Sequence, residues 1–134
     1  MSHIVIDNTF PHFEAVGSYL RPAELKQARE KFADGEISAS ALRDIEDRLI
    51  TDVIRKQKAH GLRYITDGEF RRSYWHLDFM WGFNGAEHIE LDHGYQFHGE
   101  ETTHGSVKLT GKITGDNHPF IKDFLFVKQF EEDG

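Results

Sequence analysis

A chain of 134 residues, 38% of them apolar and 29% charged, has the size and composition of one ordinary globular domain. Its formal net charge of −7, with 23 acidic residues interleaved among 16 basic ones, argues against a nucleic-acid partner. The absence of cysteine excludes disulfides and thiolate metal ligands, and no apolar run reaches the roughly 20 residues of a membrane-spanning helix, so we expect no membrane partner.

The N-terminal segment predicts an irregular start and then a short strand. Residues 1–12 carry neither a basic beginning nor a long apolar region, so we expect no secretory signal and a cytoplasmic protein. A strand is predicted over residues 13–16, closed by Gly17 and Ser18. After a strand, a Gly-Ser pair can offer backbone N–H groups and a hydroxyl to a carboxylate or phosphate, although it can equally be a simple turn.

Two helices are predicted next. Pro22, which is favoured in the first helical turn, begins a helix that extends to about Phe32. Ser38 is a suitable N-cap for the second helix. The charges on the outer face of this second helix predict a solvated surface. Its apolar positions follow the three-and-four spacing of one buried stripe: Leu42, Ile45, Leu49, Val53 and Ile54.

The centre of the chain predicts a buried strand at 64–66 that ends in a polar turn. Asp67 and Glu69 are two residues apart, so on an extended turn both side chains would project to the same side. Carboxylates at a strand end can bind a substrate ammonium group or act in acid-base catalysis. The alternative is a local ion-pair turn with Arg71 and Arg72.

The second half of the chain alternates between aromatic, strand and helix patterns. A short aromatic helix is predicted within 73–83, and its rings either pack together or form the wall of a pocket for a flat heterocyclic ligand. Alternation over 87–99 predicts a β-hairpin that turns at 92–94, and 107–113 predicts a further strand. A last helix begins at His118-Pro119 and is too hydrophobic to stand alone.

The nine histidines raise the question of a metal site. Their spacing matches no dense ligand motif, such as two histidines four residues apart on a helix with a glutamate between them. Three convergent ligands are needed, so we expect no metal site made wholly from this chain.

Together these elements predict an incomplete α/β fold of two or three βα units with an inserted hairpin. A sheet of about three central strands would leave open edges and apolar surface, and both features favour self-association. One candidate function is therefore a non-catalytic, self-associating binding module.

Several segments, in order along nearly the whole chain, resemble one enzyme family. Those at 14–22 (EAVGSYLRP), 31–38 (KFADGEIS), 57–62 (QKAHGL) and 66–72 (TDGEFRR) resemble the start of the catalytic barrel of cobalamin-independent methionine synthase. Those at 75–79 (WHLDF) and 97–102 (FHGEET) resemble the shorter, single-barrel methionine-synthase-like proteins of bacteria.

The resemblance implies a partial TIM (β/α)8 barrel of the UROD/methionine-synthase-like type. In that family a zinc-activated homocysteine thiolate takes a methyl group from a methylated folate, giving methionine. The resemblance implies that Gly17 and Ser18 hold the carboxylate of the amino acid and that Glu69 holds its ammonium group. Asp67 stands where the full synthase tends to have histidine.

The family's zinc is held by a histidine, two cysteines and a glutamate from later strands, and this chain has no cysteine. We therefore predict no zinc for this chain alone, although zinc is the cofactor of the full-length family. Residues 1–134 are expected to form a single incomplete domain, the N-terminal portion of such a barrel. This portion would contribute amino-acid binding to an S-methyltransferase and would be inactive alone.

Overall fold

The structure is a computed structural model that describes residues 14–74, 76–94, 96–97, 100–101 and 104–131. The chain separates into two compact units, 1–71 and 72–134. The described elements form an α/β fold with antiparallel strand pairs: α1 Ala23–Ala33, α2 Ala39–Ala59, α3 Leu77–Trp81, β1 Asn84–Glu90, β2 Gln96–Phe97, β3 Glu100–Glu101, β4 Gly105–Thr114 and α4 Pro119–Lys128. The single incomplete domain stays a prediction.

Helices α1 and α2 form where the sequence predicts them. Pro22 precedes the first turn of α1, and the Ser38 hydroxyl accepts a hydrogen bond from the Ala41 N–H as the N-cap of α2. Helix α2 carries Lys56 and Lys58 in its last turn, where positive charge interacts favourably with the helix dipole. The helix predicted from Pro22 to about Phe32 is confirmed to within one residue at each end, and so is the predicted start of the second helix after Ser38.

The core of the first unit lies between these helices. Leu25, Ile50 and Ile54 are completely buried. Burial of each such side chain contributes about 1.5–3 kcal/mol. The predicted stripe of α2 is slightly rotated from the observed one, because Leu42, Ile45 and Val53 are only partly buried. The buried positions of α2 are Glu46, Leu49, Ile50, Ile54 and Gln57.

Neither strand predicted in this unit is present in its described residues. Residues 14–16 and 64–66 have irregular backbone, and Phe13 lies outside the described residues. The Tyr19 N–H does donate to the Gly68 carbonyl oxygen, at 3.1 Å, so the two chain segments meet. A strand needs a ladder of such bonds, and apolar alternation alone does not supply the partner.

The second unit is built on the antiparallel pair β1 and β4. Their register runs from Glu90 opposite Gly105 to Asn84 opposite Thr114, with an irregularity between Asn84 and Ala86. Gly85, at this irregularity, has a φ of 77° and would bring a Cβ to 2.5 Å from the Lys112 carbonyl oxygen. Glycine is therefore required there.

The predicted hairpin is wrong in its pairing. Among the described residues, strand β1 does not pair with Gln96–Phe97; it pairs with the more distant β4, whose position the sequence predicts. The short strand β2 pairs with β3 instead. Long strands with complementary faces outcompete the nearest turn, because each added residue pair stabilises the sheet. The described strand pairs are antiparallel, so the parallel strands of a partial barrel are not among them.

Helix α4 begins at Pro119, as predicted, and is capped by a histidine. The Nδ1 atom of His118 accepts a hydrogen bond from the Phe120 N–H at 3.2 Å, and its Nε2 lies 2.8 Å from the Phe79 carbonyl oxygen. A backbone N–H can only donate, so Nδ1 is the acceptor and Nε2 carries the proton. The ring packs among Phe79, Phe83 and Phe120, with centroids 5.0 to 5.1 Å away.

One face of α4 is exposed and apolar. Ile121, Phe124 and Leu125 are 54%, 62% and 55% exposed, at the spacing of a single helix face. Among the described helices, none combines the length and apolar character needed to cross a membrane.

Candidate functional site

The turn at 66–71 contains two consecutive residues with left-handed backbone. Gly68 has a φ of 68° and Glu69 a φ of 57°. A left-handed conformation costs a residue with a Cβ roughly 1–2 kcal/mol, and such strain concentrates at functional sites. The predicted extended turn is therefore wrong. Glu69 lies in a tight turn of the backbone.

The turn is closed by its own side chains. The Asp67 carboxylate accepts a hydrogen bond from the Glu69 N–H at 2.9 Å, and the Thr66 hydroxyl accepts one from the Gly68 N–H at 3.1 Å. These bonds satisfy the backbone within the turn, as Asx and ST turns do. Asp67, a predicted binding residue, thus has one carboxylate oxygen engaged in shaping the turn.

Helix α2 holds the start of the turn through one side chain. The Gln57 amide oxygen accepts from the Thr66 N–H at 2.9 Å, and its nitrogen donates to the Thr66 carbonyl oxygen at 2.8 Å. Gln57 is only 4% exposed. Both main-chain polar groups of Thr66 are therefore fixed to the helix.

Two arginines, one just before α1 and one within it, hold the end of the turn. Arg21 donates to the Glu69 carbonyl oxygen at 2.9 Å, and Arg29, from α1, donates to the Phe70 carbonyl oxygen at 2.6 Å. Hydrogen bonds from charged donors are stronger than neutral ones. Gln57, Arg21 and Arg29 thus hold the backbone of the turn from outside it, together with the Tyr19 N–H.

Arg71 completes the attachment through a buried ion pair. Its guanidinium donates to Glu46 at 2.9 Å and also to Asp47, and the side chains of Arg71 and Glu46 are 7% and 10% exposed. Burial raises the pKa of the Glu46 carboxyl, and the hydrogen bond from Arg71 opposes that shift. Arg71 therefore ties the turn to α2 through a tertiary ion pair, whereas the sequence alternative was a local one.

The Gly17–Ser18 segment lies beside this turn. Tyr19 and Gly68 share the 3.1 Å backbone hydrogen bond, so the predicted carboxylate-binding pair and the predicted ammonium-binding residue belong to neighbouring segments. Gly17 has a φ of 80°, and a shallow depression of about 270 Å³ is lined by residues 14–19 and Leu62. Gly17 and Ser18 are exposed, whereas Asp67 and Glu69 are partly buried.

The sequence patterns did not indicate the residues that hold the turn: Arg21, Arg29, Glu46 and Gln57. A signal was available for two of them. Glu46 and Gln57 fall within the apolar stripe of α2, four residues after Leu42 and four residues after Val53. A polar side chain on a buried face requires hydrogen-bond partners. The partner itself, the turn at 66–71, could not be read from that spacing.

No group of three or more potential metal ligands occurs within the ranges that the structure describes. His98 and the neighbouring 99 and 102–103 lie outside those ranges. Together with the absence of cysteine, the described residues do not fit the zinc site that the family resemblance implies.

The aromatic residues of the second unit line one surface of that unit. Phe79, Phe83, His118 and Phe120 contact one another, and with Gly115, Ile121 and Phe124 they surround an open depression of about 380 Å³. Both polar atoms of the imidazole are used within the fold. Phe79 and Phe83 thus pack together and also line the depression, so neither of the two predicted roles is excluded, and Trp75 lies outside the described residues.

The relatives found by comparison with known proteins are longer than this chain. The chain is 47% identical over 114 residues to the uncharacterized protein YxjH of Bacillus subtilis, and 42% identical over 125 residues to the uncharacterized protein YxjG of the same organism. These matches cover 85% and 92% of the chain but 30% and 33% of the relatives. The chain therefore spans about a third of the curated relatives that it matches. No family model matches the chain.

A solved structure extends the comparison to the fold. The crystal structure of the "Putative Vitamin-B12 Independent Methionine Synthase" of Listeria monocytogenes matches with a TM-score of 0.70 and 47% identity. The chain is similar in fold to a methionine-synthase-like protein. The match covers 90% of this chain and 32% of the Listeria chain. It supports the family that the sequence motifs indicate.

Proposed function

We propose that this chain is the N-terminal portion of a methionine-synthase-like methyltransferase and forms part of a (β/α)8 barrel that binds homocysteine or methionine. The similarity to the Listeria protein supports the family assignment. The observation that carries the substrate role is the hydrogen bond between the Tyr19 N–H and the Gly68 carbonyl oxygen. It joins the segment of Ser18 to the segment of Glu69.

The two segments offer chemistry for the two charged groups of one amino acid. The Ser18 hydroxyl and the backbone at Gly17 can donate to a carboxylate, and the Glu69 carboxylate can accept from an ammonium group. The turn holds the Glu69 backbone before any ligand arrives. Such preorganisation lowers the ordering cost of binding. Asp67 shapes the turn in this proposal and contacts the ligand only through its remaining carboxylate oxygen.

The methyl transfer itself requires more than these residues. The attacking atom is the thiol sulfur, which must lose its proton to become an effective nucleophile. The described residues do not fit a zinc site, so no step is assigned to a metal in this chain. We expect the isolated chain to transfer no methyl group from a methylated folate to homocysteine. Turnover by this chain alone would contradict the proposal.

Binding can be tested by titrating the isotopically labelled chain with L-methionine and following its backbone amide resonances. We expect shifts confined to 17–19 and 67–70. Glu69→Gln should weaken binding by about tenfold or more, because a hydrogen bond to a charged group contributes about 1.5–3 kcal/mol. Ser18→Ala should have a smaller effect, since the carboxylate of the ligand can still accept hydrogen bonds from the neighbouring backbone N–H groups.

Blocked ligands separate the two roles. N-acetylmethionine lacks the ammonium group, so Glu69→Gln should not weaken its binding further. Methionine methyl ester lacks the carboxylate, so Ser18→Ala should not weaken its binding further. Glu36→Gln, at an exposed position of the same unit, is the matched control. Equal losses for all three ligands, or shifts elsewhere in the chain, would contradict the proposed roles.

The exposed face of α4 favours a second candidate, a self-associating binding module. Ile121, Phe124 and Leu125 are each more than half exposed, and apolar surface of this kind drives association. Light scattering after size-exclusion chromatography distinguishes the candidates. A discrete dimer that Phe124→Lys dissociates supports the module, whereas a monomer at high concentration excludes it.

A further inference from the structure

Gln57 is a buried polar residue whose partners are main-chain atoms of the candidate site. It lies on the apolar stripe of α2 and is 4% exposed. Its amide binds both the N–H and the carbonyl oxygen of Thr66, and its nitrogen also lies 3.2 Å from the Val53 carbonyl oxygen. A buried amide is tolerated only when such bonds are made.

We infer that Gln57 is a positioning residue that sets the place of Glu69. The inference rests on the proposed function, because it concerns the same amino-acid site. Gln57 fixes the Thr66 backbone, and the Thr66 hydroxyl in turn accepts from the Gly68 N–H, directly before Glu69. Gln57 thus acts through the turn and does not itself touch the ligand.

The amide is suited to this role because it offers one donor and one acceptor to the same residue. A carboxylate in its place would keep the acceptor for the Thr66 N–H but would face the Thr66 carbonyl oxygen without a proton. A protonated carboxyl group again has both a donor and an acceptor. Gln57→Glu should therefore restore the geometry at acid pH, and Gln57→Leu should restore it at no pH.

The first test needs no ligand. Left-handed backbone at Glu69 has a distinct HN–Hα coupling constant and Cα chemical shift, and the Thr66 N–H should be protected from hydrogen exchange. In Gln57→Leu we expect the Glu69 coupling to move away from its left-handed value and the Thr66 amide to exchange at least tenfold faster. Gln27→Leu, at an exposed glutamine of α1, should change neither.

The second test measures L-methionine affinity as a function of pH. At neutral pH, Gln57→Glu should bind about tenfold more weakly than wild type, since small misplacements of binding groups are costly. Burial raises the pKa of an introduced carboxyl, so the ratio of the two affinities should return toward one between about pH 8 and about pH 5. Gln27→Glu should give a constant ratio near one.

The outcomes separate the inference from the proposed function. Unchanged coupling at Glu69 in Gln57→Leu, or a pH-independent affinity ratio in Gln57→Glu, would overturn the positioning role. A wild-type chain that binds no methionine would overturn the proposed function, and the ligand-free measurements would still decide the role of Gln57. If Gln57→Leu fails to fold, the same couplings measured in Gln57→Glu across the pH range decide it.

Discussion

The turn at 66–71 and the cluster around His118 are stabilised in different ways. In the turn, Gln57, Arg21 and Arg29 hold main-chain atoms through hydrogen bonds of 2.6 to 2.9 Å. In the cluster, aromatic rings pack around one capped imidazole. Hydrogen bonds to main-chain atoms fix the position of the backbone, whichever side chain that backbone carries. Ring packing fixes less, and it leaves the neighbouring face of α4 exposed.

The largest effect is expected from breaking the ion pair that ties the turn to α2. Arg71→Met leaves Glu46 buried without its closest partner and should destabilise the first unit by about 3–5 kcal/mol. Hydrogen exchange of the Ile50 and Ile54 amides measures this. Lys56→Met removes an exposed pair with Asp52 and should cost no more than about 1 kcal/mol. Equal costs for the two variants would show that burial of the Arg71 pair is unimportant.

Substitution in the aromatic cluster should cost less stability. The cost should have two parts, loss of the helix cap and loss of ring packing. His118→Ala removes both imidazole hydrogen bonds and a buried ring, so we expect a loss of about 2–3 kcal/mol in the second unit. His118→Asn keeps a side chain that can cap α4 and should recover about 1 kcal/mol. Urea denaturation followed by tryptophan fluorescence reports on this unit. A variant as stable as wild type would mean that the rings alone order α4.

A third, smaller effect concerns pH. Because the pKa of the Glu46 carboxyl is raised in the folded chain, ionisation of this carboxyl opposes folding. The stability that the protonated carboxyl contributes is therefore lost as the pH rises above 4.5, the ordinary pKa of the group. Glu46→Gln does not titrate. The variant should therefore gain stability relative to wild type as the pH rises above about 4.5. A relative loss over that range would mean that attraction to Arg71 outweighs the cost of burial.

The smallest effect separates stability from binding at the turn itself. Glu69→Gly relieves the left-handed strain, partly offset by the greater entropy of glycine in the unfolded chain, for a net gain of about 0.5 kcal/mol. The same change should abolish methionine binding. Glu36→Gly, where φ is not positive, should lose about 0.5–1 kcal/mol instead. A loss of stability in Glu69→Gly would show that the carboxylate is itself structural.

Much of this protein could be predicted from local patterns. Helices α1, α2 and α4 begin at or next to Pro22, Ser38 and Pro119, because caps and helical hydrogen bonds involve residues within a few positions of one another. The strand at 107–113 was also predicted, and it extends over Gly105–Thr114. Its partner was not, since apolar alternation shows that a strand exists but not with which segment it pairs.

The amino-acid sequence by itself determined the positions of the helices and of the polar turn that contains Asp67 and Glu69. It also identified Gly17 and Ser18 as candidate binding residues. Only the tertiary structure decided that 64–66 is no strand, that Glu69 is left-handed, and that Gln57, Arg71 and Arg21 hold the turn. Those contacts join residues 9, 25 and 48 positions apart in the chain. Periodicity identifies which residues face the core, but the folded backbone alone decides which polar groups meet there.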